Sequence, residues 1–347
     1  MTARPGVGRS LYRHGLRPLL FRLSPDRSHT AAQVALRWQA PWQALGSLAG
    51  LAVSDPRLET TFAGIKLPNP IGLAAGFDKD CDLVDALRHL GFGFVTVGSI
   101  MPESRVGNPF PRLVRYAETE SLADSMGLPS KGLAHAVARL ARCERGGPPV
   151  FANVGGFTAE AIADSVLAVE PYVDAVEISL MCPNIVKDGF DALALLSDVL
   201  DRLEGRKRPA IVRVPNDTAA SDERLSGLIE CCVSRGIAGL KIGGGHPVAE
   251  ARLGTKQGTL HGRAIHARAL ANVTRAAGIA AGRIPIKANG GISSAQDVMA
   301  MLRAGAACVD LYSAFVYQGW TVAQTLNRDL LAVLGTRSVS AVTAGAE

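Results

Sequence analysis

Cys182 stands directly before Pro183 and Asn184, just past the β-patterned run Glu177-Ile-Ser-Leu-Met181. Pro183 fixes its own φ and pushes the preceding residue out of the helical region, so the thiol is expected on a stiff turn at a strand end. A cysteine titrates near ~8.5 when unperturbed, and a modest shift makes it a usable acid or base near neutrality. Nucleophile, metal ligand and inert buried thiol are the competing readings, since free cysteine is often simply buried. A strand-end position in a parallel barrel favours chemistry.

Two later stretches suit an anion. Asn289-Gly-Gly-Ile-Ser-Ser294 and Leu311-Tyr-Ser-Ala-Phe315 each end an apolar run. Glycines there let backbone N–H groups approach a phosphate, and the next helix start adds its positive end. An ordinary tight turn is the plainer explanation of Gly290-Gly291. Gly72-Leu-Ala-Ala-Gly-Phe-Asp-Lys79 presents small residues on which a flat ring could lie, with Lys79 at the rim; a close-packed turn with a solvated lysine is the alternative. Arg213, Lys241 and Lys287 fall inside strand-like runs, where charges need partners. Glu177 is one candidate, and a flavin, a substrate anion or another carboxylate could supply the rest.

These residues need a scaffold. From Pro70 onward eight short apolar runs recur: Pro70–Gly76, Phe92–Ile100, Pro149–Gly155, Ala175–Cys182, Pro209–Asn216, Gly236–Gly243, Ile284–Ile292 and Ala306–Ala314. Most are near-continuous rather than alternating, as strands buried on both faces are. Helix-like segments separate most of them: Cys81–Leu90, Gly132–Cys143, Ala159–Val169, Leu193–Leu203, Ser221–Ser234, Ala264–Ala277 and Ser294–Ala304. The pattern predicts an α/β fold, a (β/α)8 TIM barrel over residues 58–337. A doubly wound sheet usually has fewer strands and an early G-x-G-x-x-G, which is missing here.

Residues 1–57 read as an N-terminal helical extension, with residues 58–68 a short hairpin into the first strand. Leu16, Leu19, Leu20 and Leu23 form one apolar cluster, and Val34, Ala35, Trp38, Trp42, Leu45 and Leu48 another. Arginines flank both. Leu11–Leu51 is therefore either an interfacial amphipathic hairpin in contact with a membrane or a helical cap packed on the barrel. Residues 338–347 read as a disordered, frayed tail.

Bulk properties narrow the class. The 347 residues are 48% apolar and 20% charged, enough to bury a sizeable core. The net charge of +6 resides in residues 1–57, with eight arginines and two aspartates. The basic residues are interleaved with apolar ones, so nucleic acid is not an expected partner. No run reaches the ~18 apolar residues of a spanning helix, and no secretory leader stands out. Cysteines 81, 143, 182, 231, 232 and 308 show no paired metal-ligand spacing, and adjacent Cys231-Cys232 suit a reducing cytoplasm.

Over about residues 10–330 the chain resembles the dihydroorotate dehydrogenases, FMN-dependent (β/α)8 enzymes. Its specific pieces are Asn69-Pro-Ile-Gly-Leu-Ala-Ala-Gly-Phe-Asp-Lys79, Gly91-Phe-Gly-Phe-Val-Thr-Val-Gly98, Gly107-Asn-Pro-Phe-Pro-Arg112, Ser125-Met-Gly-Leu-Pro129 and Cys182-Pro-Asn184. Leu11-Tyr-Arg and Leu20-Phe-Arg-Leu-Ser-Pro-Asp-Arg27 look like the membrane-associated, quinone-using class. The resemblance implies FMN across the strand C-termini, its phosphate on Gly262, Gly290, Gly291, Tyr312 and Ser313. Ala74, Ala75 and Gly76 would line the ring, with Ser99 and Asn153 nearby. Lys79 would serve substrate and flavin, and Arg213 stands where the family carries a lysine beside the flavin's pyrimidine edge.

The departures concern the substrate. Cys182 occupies the base position in the manner of the soluble class, whereas the quinone class has serine. Ser130, Ser179 and the Gly243–Gly245 region around Gly244 replace asparagines that grip orotate, leaving Asn184 in register. Unpaired polar groups are costly, so three lost amides should weaken orotate binding severely. The resulting expectation is an FMN oxidoreductase acting on a C–C bond beside a carbonyl, Cys182 as acid/base and flavin N5 as hydride partner, on a substrate other than orotate. Two alternatives stand beside it: a genuine dihydroorotate dehydrogenase of pyrimidine biosynthesis, and a flavin- or phosphate-binding barrel without catalysis. The electron acceptor is a quinone by N-terminal resemblance, with oxygen or a nicotinamide-linked partner open. The expected location is cytoplasmic, with peripheral contact to the inner membrane face where the N-terminal segment binds lipid.

Overall fold

Residues buried on both faces dictate the scaffold. The computed structural model describes residues 7–180, 191–215 and 221–345. A hairpin of β1 (Thr60–Phe62) and β2 (Ile65–Leu67) precedes the barrel. The barrel strands are β3 (Ile71–Leu73), β4 (Phe94–Ile100), β7 (Val150–Gly155), β8 (Ala175–Ser179), β9 (Ala210–Arg213), β10 (Gly239–Gly243), β13 (Ile286–Asn289) and β14 (Ala306–Leu311). They close in chain order, every neighbouring pair parallel, and β14 returns to β3. The expected (β/α)8 barrel is present, each strand falling within the apolar run that predicts it.

The helices between strands have identifiable starts. Ser294 and Asp297 form a reciprocal capping box on Ala295–Arg303, and Thr158, Asp191 and Ser221 cap three others. The hairpin plugs the N-terminal end of the barrel: Phe62, fully buried, meets Phe94, Phe151, Ile211 and Cys308. A Cβ on Gly239 would lie 2.7 Å from the Phe62 ring, so the plug needs that glycine. Truncating such a ring typically costs about 3–5 kcal/mol.

Two excursions leave the barrel. β5 (Leu113–Tyr116) and β6 (Ser121–Asp124) follow β4; β11 (His246–Ala249) and β12 (Gln257–Gly262) follow β10. They join as a four-stranded antiparallel sheet in the order β11-β12-β6-β5. No run of alternating apolar residues in the sequence announces this sheet.

Residues 7–48 are a chain of short helices. Ser24 and Pro25 start the helix Pro25–Leu36. The group is pinned to the barrel: Tyr12 donates to the Val316 carbonyl (2.6 Å) and Gln33 to the Phe77 carbonyl (3.0 Å). Burial pushes the Tyr12 hydroxyl up to about 12, with Arg17 and Arg115 opposing, so it remains a donor. Yet Leu11, Leu19, Trp38 and Leu48 stand exposed on the same helices. Among the described residues no helix is long and apolar enough to cross a membrane. At the other end, Val339–Thr343 forms a helix with Val339 and Val342 buried. That corrects the frayed-tail reading there: two valines three apart supply a short apolar face to pack.

Candidate active site

The barrel interior carries charge. Glu177 on β8, Lys241 on β10, Lys287 on β13 and Asp310 on β14 all point inward and are buried. Lys287 Nζ lies 2.5 Å from Glu177 Oε2 and 3.3 Å from Asp310 Oδ2. Lys241 Nζ lies 2.9 Å from Asp310 Oδ2 and 3.4 Å from Glu177 Oε1. Asn153 donates to Glu177 (2.7 Å), and Asn289 donates to Asp310 (2.6 Å). Burial raises the Glu177 pKa, but the two ammonium groups outweigh it and hold the carboxyl below its ordinary value. Burial likewise opposes charge on Lys287, and Glu177 with Asp310 reverses it. The expected partnership of Glu177 with the strand lysines is thus present, and Asp310 completes it.

Above this cluster lies a cavity of about 160 Å³. Its floor is made by strand ends and the loops beyond them: Ala74, Ala75, Gly76, Ser99, Arg213 and Tyr312. Lys79 lines it and donates to the Gly76 carbonyl. Burial lowers the Lys79 pKa against the pull of Asp124, Asp80 and Asp78. The roof is the excursion sheet, which contributes Leu113, Leu122, Asp124, Thr259 and His261. A smaller adjoining cavity holds Gly262, Gly290, Gly291, Tyr312 and Ser313 together. His261, Asn289 and Tyr312 border both.

The other sequence-derived positions fall as follows. Asn153 is fully buried beneath the cavity, its Oδ1 without a hydrogen-bond partner among the described residues. Ser179 ends β8, opposite Arg213 in register. Ser130 is turned to the backbone: its Oγ accepts from Gly132 N (3.1 Å) and Met101 N (3.4 Å). The Gly244 amide donates to the Asn289 carbonyl (3.2 Å). Cys182 and Asn184 lie outside the described residues. Asp124, Thr259 and His261 went unread because they sit on short polar strands; their one clue was adjacency to Ser125-Met-Gly and to Gly262.

A third cavity, about 220 Å³ and almost wholly apolar, runs between the N-terminal helices and the barrel. Leu16, Leu20, Ala32, Ala35, Trp42 and Phe77 are among its walls. It shares Leu113, Leu122 and Tyr312 with the roofed cavity. His29 lies here, edge-on to Phe77 at 5.5 Å. Burial, aided by Lys79, lowers its pKa to about 3, so it is neutral at neutral pH.

The model of the family described as dihydroorotate dehydrogenase matches residues 57–334. The chain belongs to the dihydroorotate dehydrogenase family. It is 34% identical to the dihydroorotate dehydrogenase (quinone) of Chloroflexus aurantiacus, covering 92% of this chain and 96% of that one. To the enzyme of the same description from Cereibacter sphaeroides it is 35% identical, over 91% of each. The crystal structure of the Eimeria tenella family member in complex with ferulenol superposes with a TM-score of 0.80 at 26% identity, covering 96% and 97% of the two chains. Family members are FMN-dependent oxidoreductases acting on CH–CH groups, and this chain is one.

The residues present fit FMN. Gly290 and Gly291 have φ of +120° and +70°, and added Cβ atoms would stand 2.6 Å from Ala269 and 2.7 Å from His266. Gly262, at φ +96°, would place a Cβ 2.6 Å from the Glu120 carbonyl. Only glycines make this cradle, which suits a phosphate. The small Ala74-Ala75-Gly76 floor leaves room for a flat ring. The expectation of a substrate other than orotate gains no support: relatives matched over nine-tenths of the chain are named for dihydroorotate.

Proposed function

We propose that this protein oxidises dihydroorotate to orotate in pyrimidine biosynthesis, with FMN as cofactor and a quinone as electron acceptor. The observation that carries the reading is the roofed cavity: cationic Lys79 and Arg213 face a ring-sized floor beside a glycine cradle. An anionic carboxylate-bearing ring fits that charge. Gly262, Gly290, Gly291, Tyr312 and Ser313 would hold the phosphate; Ala74, Ala75, Gly76 and Ser99 would bear the ring system; Asn153 would offer its unpartnered oxygen; and Arg213 would set a positive fork at the ring's edge. Bound FMN would supply a two-electron hydride acceptor.

Cys182 takes the proton from the carbon beside the ring carbonyl as the hydride leaves the adjacent carbon. Asn184 stays in register to hydrogen-bond the ring. The roof excludes water from the reacting face. The apolar cavity beneath the N-terminal helices admits the quinone, which leaves as quinol after gaining two electrons and two protons. Exposed Leu11, Leu19, Trp38 and Leu48, set among arginines, support a peripheral contact of that entrance with an anionic membrane surface.

The test uses purified yellow holoenzyme without oxygen. Dihydroorotate should bleach the flavin, and a short-chain quinone should restore it and sustain turnover. Cys182→Ala should slow bleaching by roughly 100- to 10,000-fold, the usual span for a lost general base. A flavin that dihydroorotate never bleaches sinks the proposal.

A further inference from the structure

The glycine cradle has carboxylates for neighbours. A phosphate monoester carries about −1.5 to −2 charges at pH 7, and both Glu120 and Asp310 border the cavity that suits it. Asp310 is balanced inside the barrel by Lys241 and Lys287. Glu120 has no such counterpart in the barrel interior. It sits in the turn between β5 and β6, and its carbonyl oxygen would stand 2.6 Å from a Cβ on Gly262. Arg263 is the one lysine or arginine among the described residues that line the cradle. Its guanidinium stands 3.9 Å from Glu120 Oε2. Left to itself, Glu120 would repel an incoming phosphate and hold back the only fixed cation beside it.

The N-terminal helices supply the missing charge. Arg13 donates to Glu120 Oε1 (3.3 Å), and Arg17 stands 4.0 Å from the same oxygen. Arg17 is itself fixed, because it donates to the Tyr317 carbonyl (3.2 Å). A cleft of about 380 Å³ opens between these helices and the β5–β6 turn, with Arg13, Arg17 and Tyr317 in its walls. Glu120 and Arg263 border both this cleft and the cradle. One carboxylate therefore faces two helix arginines through Oε1 and the cradle arginine through Oε2. The Arg263 side chain is 61% exposed and the Glu120 side chain 15%. The arginine has room to turn toward the cradle, while the glutamate stays in place.

We propose that Arg13 and Arg17 set the charge of the phosphate site through Glu120, the positioning residue between them and Arg263. By balancing Glu120 they free Arg263 for the phosphate and remove the repulsion. The N-terminal helices thus help the barrel select a phosphorylated flavin over an unphosphorylated one. This inference rests on the FMN reading and adds to it a contribution from outside the barrel.

The experiment strips full-length protein of flavin and titrates it with FMN and with riboflavin, which lacks the phosphate, following the quenching of flavin fluorescence. The quantity read is the ratio of the two dissociation constants. Arg263→Ala should weaken FMN roughly 10- to 100-fold, the span of one lost hydrogen bond to a charged group, and leave riboflavin almost unchanged. Arg13→Ala with Arg17→Ala, which touches nothing in the cradle, should weaken FMN roughly 10-fold, at the low end of that span, and again spare riboflavin. Adding Glu120→Gln to that double variant removes the unbalanced carboxylate and should restore FMN affinity. Glu120→Gln alone should tighten FMN and not riboflavin, and it carries the test if the arginine variant fails to fold. A purely mechanical pin between helix and barrel would instead lower Tm and weaken both flavins equally. That result, or weaker FMN binding by Glu120→Gln alone, overturns the inference. Variants that keep the wild-type ratio overturn it as well and leave the FMN reading standing. Wild-type protein that takes up neither flavin overturns both.

Discussion

Glu177→Gln is the sharpest structural perturbation available. In the wild type two carboxylates, Glu177 and Asp310, balance two ammonium groups, Lys241 and Lys287, in almost complete burial. The substitution leaves an excess positive charge there. It also sets an amide donor against Lys287 or Asn153, both of which now donate to Glu177. Breaking a buried pair by removing one partner costs about 3–5 kcal/mol. For a chain of this size the shallow end of the usual slope applies, about 2 °C per kcal/mol. A Tm drop of roughly 6–10 °C follows.

The assay is thermal unfolding of the holoenzyme by far-ultraviolet circular dichroism at pH 7.5 and at steps down to pH 3. Glu177 is depressed below its ordinary value of 4.5. Its contribution is therefore fully present above that value and is lost as the pH falls through the lower folded value. The gap between wild type and variant should be widest near neutrality and narrow below pH 4.5. Adding Lys287→Met to Glu177→Gln should recover part of the loss, since it removes the stranded charge. A variant as stable as wild type at pH 7.5, or a gap that stays constant with pH, refutes the reasoning.

Other outcomes are equally specific. Gly291→Ala forces a Cβ to 2.7 Å from His266 at positive φ, so the protein should purify with little flavin, measured as the ratio of flavin to protein absorbance. Ala35→Trp fills the apolar cavity and should abolish quinone turnover while dihydroorotate still bleaches the flavin; equal loss of both would remove the quinone assignment. His29 is neutral and depressed to about 3 from 6.5, so stability is full above pH 6.5 and falls as the pH drops toward 3. His29→Phe should flatten that part of the pH–Tm curve. Leu11→Glu with Leu19→Glu should abolish pelleting with anionic vesicles and spare turnover of a soluble quinone analogue.

The scaffold was legible where one physical demand governed the residues. Strands such as Phe94–Ile100 are buried on both faces and read as continuous apolar runs. The strands are shorter than their runs: Ala74, Ala75 and Gly76, for example, lie beyond the paired strand Ile71–Leu73. The tail failed for the opposite reason: Val339 and Val342 make an apolar face too short to stand out, and only packing gives it meaning. The four-stranded roof was missed altogether. Ser121–Asp124 is four residues with a polar residue at each end, and Gln257–Gly262 carries two glycines, so neither shows clean alternation or continuous apolarity.

That failure falls where function concentrates. A strand whose side chains line a polar cavity cannot also follow the apolar pattern that advertises a strand, so Asp124, Thr259 and His261 disguise the sheet that holds them. The substrate expectation met the same limit. It weighed absent asparagines one position at a time, while the polar side chains that the antiparallel sheet turns toward the cavity carried no signal in the sequence. A missing motif residue is therefore weak ground for a changed substrate until the elements that face the cavity are known.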